Sequence, residues 1–217
     1  MKKQFLLILL LTVYSNLSAS VYTPDKLLYN GKEYSIVDSK YLSHFFINKA
    51  DHAETTPDGE VIVSTGPRQG YIGTFQIEDN QLYVTAIQKY YMEDLQIKRE
   101  NAYTSLFPNT TRAKADWVSG LMLAGEIPED GFKNGDSPKN YILLEIKDGT
   151  IIKEKKLNRK ELNNFKKKQY QSFRNTEEYH AVFDRLKTEA PDYISDKSID
   201  ETIELFILIH STRILTD

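Results

Sequence analysis

With 217 residues the chain is long enough to bury a sizeable core in one domain, or in a domain with an appended subdomain. It has no cysteine, which excludes disulfides and lipid attachment at a cysteine, so its fold rests on its core alone. The 31 acidic side chains slightly outnumber the 28 basic ones, for a formal net charge of -3, and this leaves no global electrostatic footprint for nucleic acid.

Residues 1–20 read as a cleaved signal peptide. Lys2 and Lys3 precede an apolar run over 5–13 that only Thr12 interrupts, and small and polar residues follow over 15–20. Cleavage is expected after Ala19 or Ser20, where small side chains suit the peptidase. The run falls short of the roughly 20 residues that cross a bilayer core. The expectation is an exported protein in the periplasm or the extracellular space, soluble and without stable membrane insertion once cleaved.

Residues 21–155 read mainly as strands, in keeping with 14 tyrosines and 10 phenylalanines. The Asn30-Gly31 turn opens a strand over 32–37. Tyr41, Leu42, Phe45 and Phe46 have helical spacing and predict a helical turn over 41–48. A polar loop over 51–59 turns at Pro57-Asp58-Gly59, and a strand over 60–65 ends at Gly66-Pro67. The alternation over 71–77 predicts a strand, Glu78-Asp79-Asn80-Gln81 its turn, and 82–89 the return strand. A loop with a short strand is expected over 90–99, a helical turn over 104–107 closed by Pro108, and a strand over 116–124. A turn-rich loop over 125–138 leads to a second hairpin, 141–146 and 150–154, around Lys147-Asp148-Gly149.

From 156 to 217 the pattern is helical. Leu162, Phe165 and Phe173 share the face of a first helix capped by Asn158, with Tyr170 near it. Thr176 caps a second helix through Lys187, with Tyr179, Val182, Phe183 and Leu186 inward. After Pro191, Ser198 and Glu201 have capping-box spacing ahead of Ile199, Ile203, Phe206, Ile207 and His210. The fold class expected is α+β: a mostly antiparallel sheet with two hairpins, followed by about three C-terminal helices over one face or one end. The helical region is expected to pack on the sheet as one domain.

The segments Gly70-Tyr71-Ile72-Gly73-Thr74-Phe75-Gln76-Ile77, Leu82-Tyr83-Val84, Phe107-Pro108 and Asp116-Trp117-Val118-Ser119-Gly120 carry a further signal. They resemble an uncharacterised bacterial protein family. Its members show a strand like Arg-Gly-Tyr-Ile-Ala-Thr-Trp-Glu-Ile, then Leu-Tyr-Leu, a Phe-Pro pair and Asp-Trp-Phe-Ser-Gly. Similarity extends to Tyr29-Asn30-Gly31-Lys32-Glu33-Tyr34, to 140–146 and to 176–179. Where the family often has Trp-Arg before Gly-Tyr, this chain has Arg68-Gln69. The resemblance implies a shared fold and no named activity.

Four residues stand out as binding candidates: Arg68, Tyr71, Asp116 and Trp117. A guanidinium and a phenol at a strand entrance suit an anion or a carboxylate. A carboxylate beside the chain's only tryptophan suits acid–base work if it is desolvated, although strand alternation would place Asp116 and Trp117 on opposite faces. Against these stand ordinary roles, a loop arginine, a sheet tyrosine, a capping aspartate and a core tryptophan. His44, His52, His180 and His210 are dispersed, so no metal site is expected, and no cofactor fingerprint or nucleophile elbow is present. No catalytic residue is assigned. The basic run of Lys153, Lys155, Lys156, Arg159, Lys160 and Lys166–Lys168 reads as a solvated face, with an acidic partner or membrane surface as the alternative. The expected function is a non-catalytic module that binds an unidentified protein partner. The alternatives are a small-anion binder near Arg68 and a carboxylate-dependent hydrolase.

Overall fold

Three two-residue turns have both residues at positive φ: Asn30-Gly31, Asp79-Asn80 and Asp148-Gly149. This conformation matches the right-handed twist of paired strands, and Asn, Asp and Gly tolerate it best. The turns join β1 (Lys26–Tyr29) to β2 (Lys32–Ile36), β5 (Tyr71–Glu78) to β6 (Gln81–Glu93), and β10 (Asn140–Lys147) to β11 (Thr150–Asn158). The computed structural model describes residues 24–37, 41–46, 54–55, 61–62, 71–93, 96–128, 137–191 and 193–216. The expected signal peptide, Arg68 and the Pro57-Asp58-Gly59 turn lie outside the described residues.

The remaining elements in the first part of the chain are short. They are α1 (Ser43–Phe46), β3 (Glu54–Thr55), β4 (Val61–Ile62), β7 (Gln96–Asn101), α2 (Tyr103–Leu106), β8 (Ala113–Lys114) and the longer β9 (Gly120–Glu126). The C-terminal part holds α3 (Arg159–Phe173), α4 (Glu177–Glu189), α5 (Asp196–Leu205) and α6 (Ile207–His210).

The main sheet runs β11-β10-β9-β2-β1-β5-β6, and β11 pairs back to β6 through Thr150 and Gln81. Seven strands therefore close into a barrel, with β7 and β8 added on β6 and with β3–β4 as a separate pair. This corrects the expected α+β fold, a mostly antiparallel sheet of two hairpins followed by about three helices. The reason is that the two hairpin tips interlock. Leu82 N–H donates to the Gly149 carbonyl at 2.8 Å, and Ile151 N–H to the Asn80 carbonyl at 2.9 Å. β6, at 13 residues, is long enough to serve β5, β7, β8 and β11. Register shifts at Thr74/Phe75 and Glu145/Ile146 supply the bending that closure requires. One pair in the ring, β1 with β5, is parallel.

Other boundaries move as well. β1 has no counterpart among the expected strands, because Asn30-Gly31 is its turn as much as the opening of β2. β11 continues to Asn158, beyond the expected 154. Asp116-Trp117 is a turn and not part of β9, as Val118 N–H closes back on the Ala115 carbonyl at 3.0 Å. The third helix is capped by Ser195, whose hydroxyl accepts from Ser198 N–H, so the cap lies one turn earlier than expected. Phe206 faces outward and is not in the core. Asn158 and Thr176 do cap α3 and α4, and Asn158 completes a capping box with Glu161.

Two cores share the barrel wall. Inside the ring lie Leu27, Tyr34, Ile36, Phe75, Ile87, Met122, Ala124, Ile142 and Leu144. Outside it, Leu121, Leu123 and Leu143 pack with Leu162, Phe165, Phe173, Ile203 and Ile207 of the helices. Alternate residues of β9 and β10 thus face opposite cores, which is why both strands are nearly continuous apolar runs. The buried Gln169 amide ties the C-terminal tail to α3: it donates to Ser211 Oγ (2.8 Å) and the Arg213 carbonyl (2.7 Å) and accepts from Leu215 N–H (2.9 Å).

Candidate ligand cleft

The four residues singled out by sequence do not form a site among the described residues. Tyr71 is buried in the barrel core at the start of β5. Trp117 is half-buried at one end of the barrel, where its Nε1–H donates to the Tyr41 carbonyl at 2.8 Å. Its ring stacks on Phe107 with centroids 6.0 Å apart and meets Phe45 edge-on at 4.8 Å. This anchors α1 and the segment after α2 to the barrel, a packing role. Replacing Trp117 with Phe keeps most of the ring contact and removes the hydrogen bond, and is expected to cost about 1 kcal/mol in urea unfolding followed by circular dichroism. The Asp116 carboxylate is exposed and makes no hydrogen bond or ion pair among the described residues. It lacks the desolvation that acid–base chemistry at a carboxylate needs.

A recess lies elsewhere, between the outer barrel wall and α3. Alternation on β2 creates one side of it. Tyr34 and Ile36 point into the barrel, so Glu33, Ser35 and Val37 point out. Lys26 on β1, Leu123 on β9 and Tyr141 on β10 extend this wall. The opposite wall is one face of α3, where Arg159, Leu162, Asn163 and Lys166 recur at helical spacing. The cleft exists because α3 packs over β10 and β11, leaving the outward face of β2 uncovered by helix among the described residues. Its volume is about 720 Å³, within the range of small-ligand sites. Val37, 53% exposed, presents unburied apolar surface there.

The charges in the cleft are unequally matched. Among the described residues Glu33 is its only lining carboxylate, and it pairs with Lys26 at 2.7 Å. Arg159 donates through Nη2 to the carbonyls of Ser137 (3.1 Å) and Pro138 (3.2 Å) and to the Ser137 hydroxyl. No carboxylate among the described residues pairs with Arg159 or Lys166. Burial of the Lys166 amine lowers its pKa from the ordinary lysine value. Lys166 belongs to the basic run read from sequence as a solvated face, and here it lines an apolar recess.

A second polar cluster fastens the helices together. Tyr170 and Tyr179 both donate their hydroxyls to Asp200 Oδ1, at 2.5 and 2.6 Å, and Arg174 approaches Asp200 Oδ2 at 3.7 Å. Burial alone would raise the Asp200 pKa, but the two phenol hydrogen bonds and the Arg174 charge outweigh it and hold the carboxyl below its ordinary value. Burial, followed by the bond to Asp200, raises both tyrosines. The two phenols and the carboxylate join α3, α4 and α5.

Among the described residues there is no group of three or more His, Asp or Glu side chains placed to hold a metal, and no helix is long and apolar enough to cross a membrane. His180 is exposed against Tyr179, and His210 is half-buried at the end of α6. Comparison with family models, with curated proteins and with solved structures returned no match. The residues of the cleft escaped sequence reasoning because none belongs to a motif. The signal that existed was the alternation of Glu33, Ser35 and Val37 after a hairpin turn, and the recurrence of Arg159, Leu162 and Lys166 on a helix.

Proposed function

We propose that the protein is an exported, non-catalytic binding protein that holds a small ligand in the cleft between β2 and α3. The observation that carries this reading is the cleft itself: about 720 Å³ of recess with largely apolar walls and two cations without acidic partners among the described residues. A few polar groups around an apolar recess are the ordinary composition of a ligand site. The test is methyl resonance mapping with the amphiphilic probe anilinonaphthalene sulfonate. Saturable shifts at Val37, Leu123 and Leu162 are expected, and shifts confined to other methyls reject the cleft. Export is checked by sequencing the N-terminus of the protein from an envelope fraction. A chain beginning just after Ala19 or Ser20 supports it, and a chain retaining Met1 in the cytoplasm rejects it.

A second reading, a module for a protein partner, has its own observation. Leu205, 67% exposed, lies beside exposed Phe206 and Ile209 at the junction of α5 and α6. Contiguous exposed apolar residues of this kind mark contact surfaces. Cross-linking in envelope extract should give an adduct that a Leu205→Ser, Phe206→Ser variant loses. An unchanged pattern rejects this reading.

A further inference from the structure

We infer that the cleft takes a single-chain amphiphile with one anionic group, a free long-chain carboxylate, its head on the Lys166 ammonium and its tail along Leu162, Leu123 and Val37. The inference rests on the cleft reading and adds the chemical class of the ligand. Charge decides the sign of the head group. Among the described residues the one lining carboxylate, Glu33, is already paired with Lys26, so these residues offer a cationic ligand no partner. Of the remaining cations, Arg159 spends Nη2 on the carbonyls of Ser137 and Pro138. Lys166 makes no hydrogen bond or ion pair among the described residues, although its side chain is half-buried. An ammonium drawn partly out of water regains from an anion what burial takes away.

Spacing decides how many charges the ligand carries. Arg159 and Lys166 are seven residues apart on α3, about 10 Å along the axis at 1.5 Å per residue. With Arg159 Nη2 held on the Ser137 and Pro138 carbonyls, a single anionic group on Lys166 matches the free charge of the cleft. Between Arg159 and Lys166 lies Leu162, beside Asn163, and Leu123 and Val37 line the barrel wall beside Ser35, so much of the surface leading away from Lys166 is apolar. One charged end and an extended apolar body satisfy both halves of the cleft. A neutral chain would cover the apolar wall and leave Lys166 without a counter-charge.

The experiment is calorimetric titration of the full chain with decanoate, decan-1-ol and acetate, with methyl resonances of Val37, Leu123 and Leu162 as the locator. Decanoate is expected to bind about 10–100-fold more tightly than decan-1-ol, the range of one charge-assisted contact, and acetate is expected to show no saturable binding. Lys166→Met should keep the fold and the decan-1-ol affinity while reducing decanoate to the level of the alcohol, and Lys166→Arg should restore the difference. Equal affinity for acid and alcohol in the unsubstituted protein, or undiminished decanoate binding by Lys166→Met, overturns the anionic head and leaves the cleft reading standing. Acetate binding as tightly as decanoate overturns the tail. If neither decanoate nor decan-1-ol moves the cleft methyls, the cleft reading falls and the inference falls with it.

Discussion

Replacing Gly149 with alanine is expected to destabilise the protein by about 2–4 kcal/mol. The residue sits at φ +71, where a Cβ is strained, and that Cβ would lie 2.7 Å from the Ala115 carbonyl oxygen. The obstacle is backbone, so no side chain can rotate away. Nor can the turn retreat, because Gly149 N–H donates to the Val118 carbonyl at 2.9 Å and its own carbonyl accepts from Leu82 at 2.8 Å. The bond from Leu82 is part of the seam where the barrel closes. Gly31 is the internal control. It has nearly the same dihedral, φ +73, but open space around it, so Gly31→Ala should lose only the local strain, about 1 kcal/mol. Urea midpoints of the two variants, followed by far-ultraviolet circular dichroism, separate the two effects. Equal losses would mean that the tips do not interlock as described.

Asp200→Ala is expected to cost about 2–3 kcal/mol, because two largely buried phenols lose their shared acceptor at once. Asp200→Asn keeps an oxygen at that place and should cost about 1 kcal/mol. The pH dependence has a definite sign. A carboxyl whose folded pKa is depressed contributes stability that is fully present above its unfolded value, about 4, and is lost as pH falls through the lower folded value. The difference between the unsubstituted protein and Asp200→Ala should therefore shrink on acidification below about pH 4. The raised tyrosines act at the other end. Their contribution is present below about pH 10 and is lost as pH rises toward their folded values. A difference that stays constant from acid to alkali would argue that the hydroxyls are solvated and the triad carries little energy.

Local chemistry was legible in the sequence wherever it is encoded by adjacent residues. Asp79-Asn80 and Asp148-Gly149 announce their hairpins because few other residues accept positive φ, and Asn158 and Thr176 announce helix starts because their side chains satisfy free N–H groups. Closure of the ring was not legible. It depends on the tips of two hairpins meeting through backbone groups nearly 70 residues apart, and backbone groups carry no sequence signature. The strand expected over 116–124 began too early because its turn is set by the Ala115–Val118 bond and by Gly120 at φ +112, while Asp116 and Trp117 themselves look compatible with a strand. The same distinction applies to the site. The outward set on β2 and the cationic face of α3 are both readable patterns, but that they face each other follows only from where α3 crosses the barrel. Tyr71 is buried in the barrel core and Trp117 packs at its end, with its indole N–H on the Tyr41 carbonyl.

Closing a sheet into a ring also settles what the protein offers to other copies of itself. Unpaired strand edges are templates for a neighbouring chain, and a barrel removes them. Among the described residues the main sheet leaves β7 and the two-residue β8 outside the ring, both paired to β6. β7 displays Lys98, Arg99 and Glu100, all exposed, at the place where a second chain would have to add its own strand. A charged, short edge of this kind is a poor template. An open sheet with the apolar strands β9 and β10 at its rim would offer a far better template for edge-to-edge assembly.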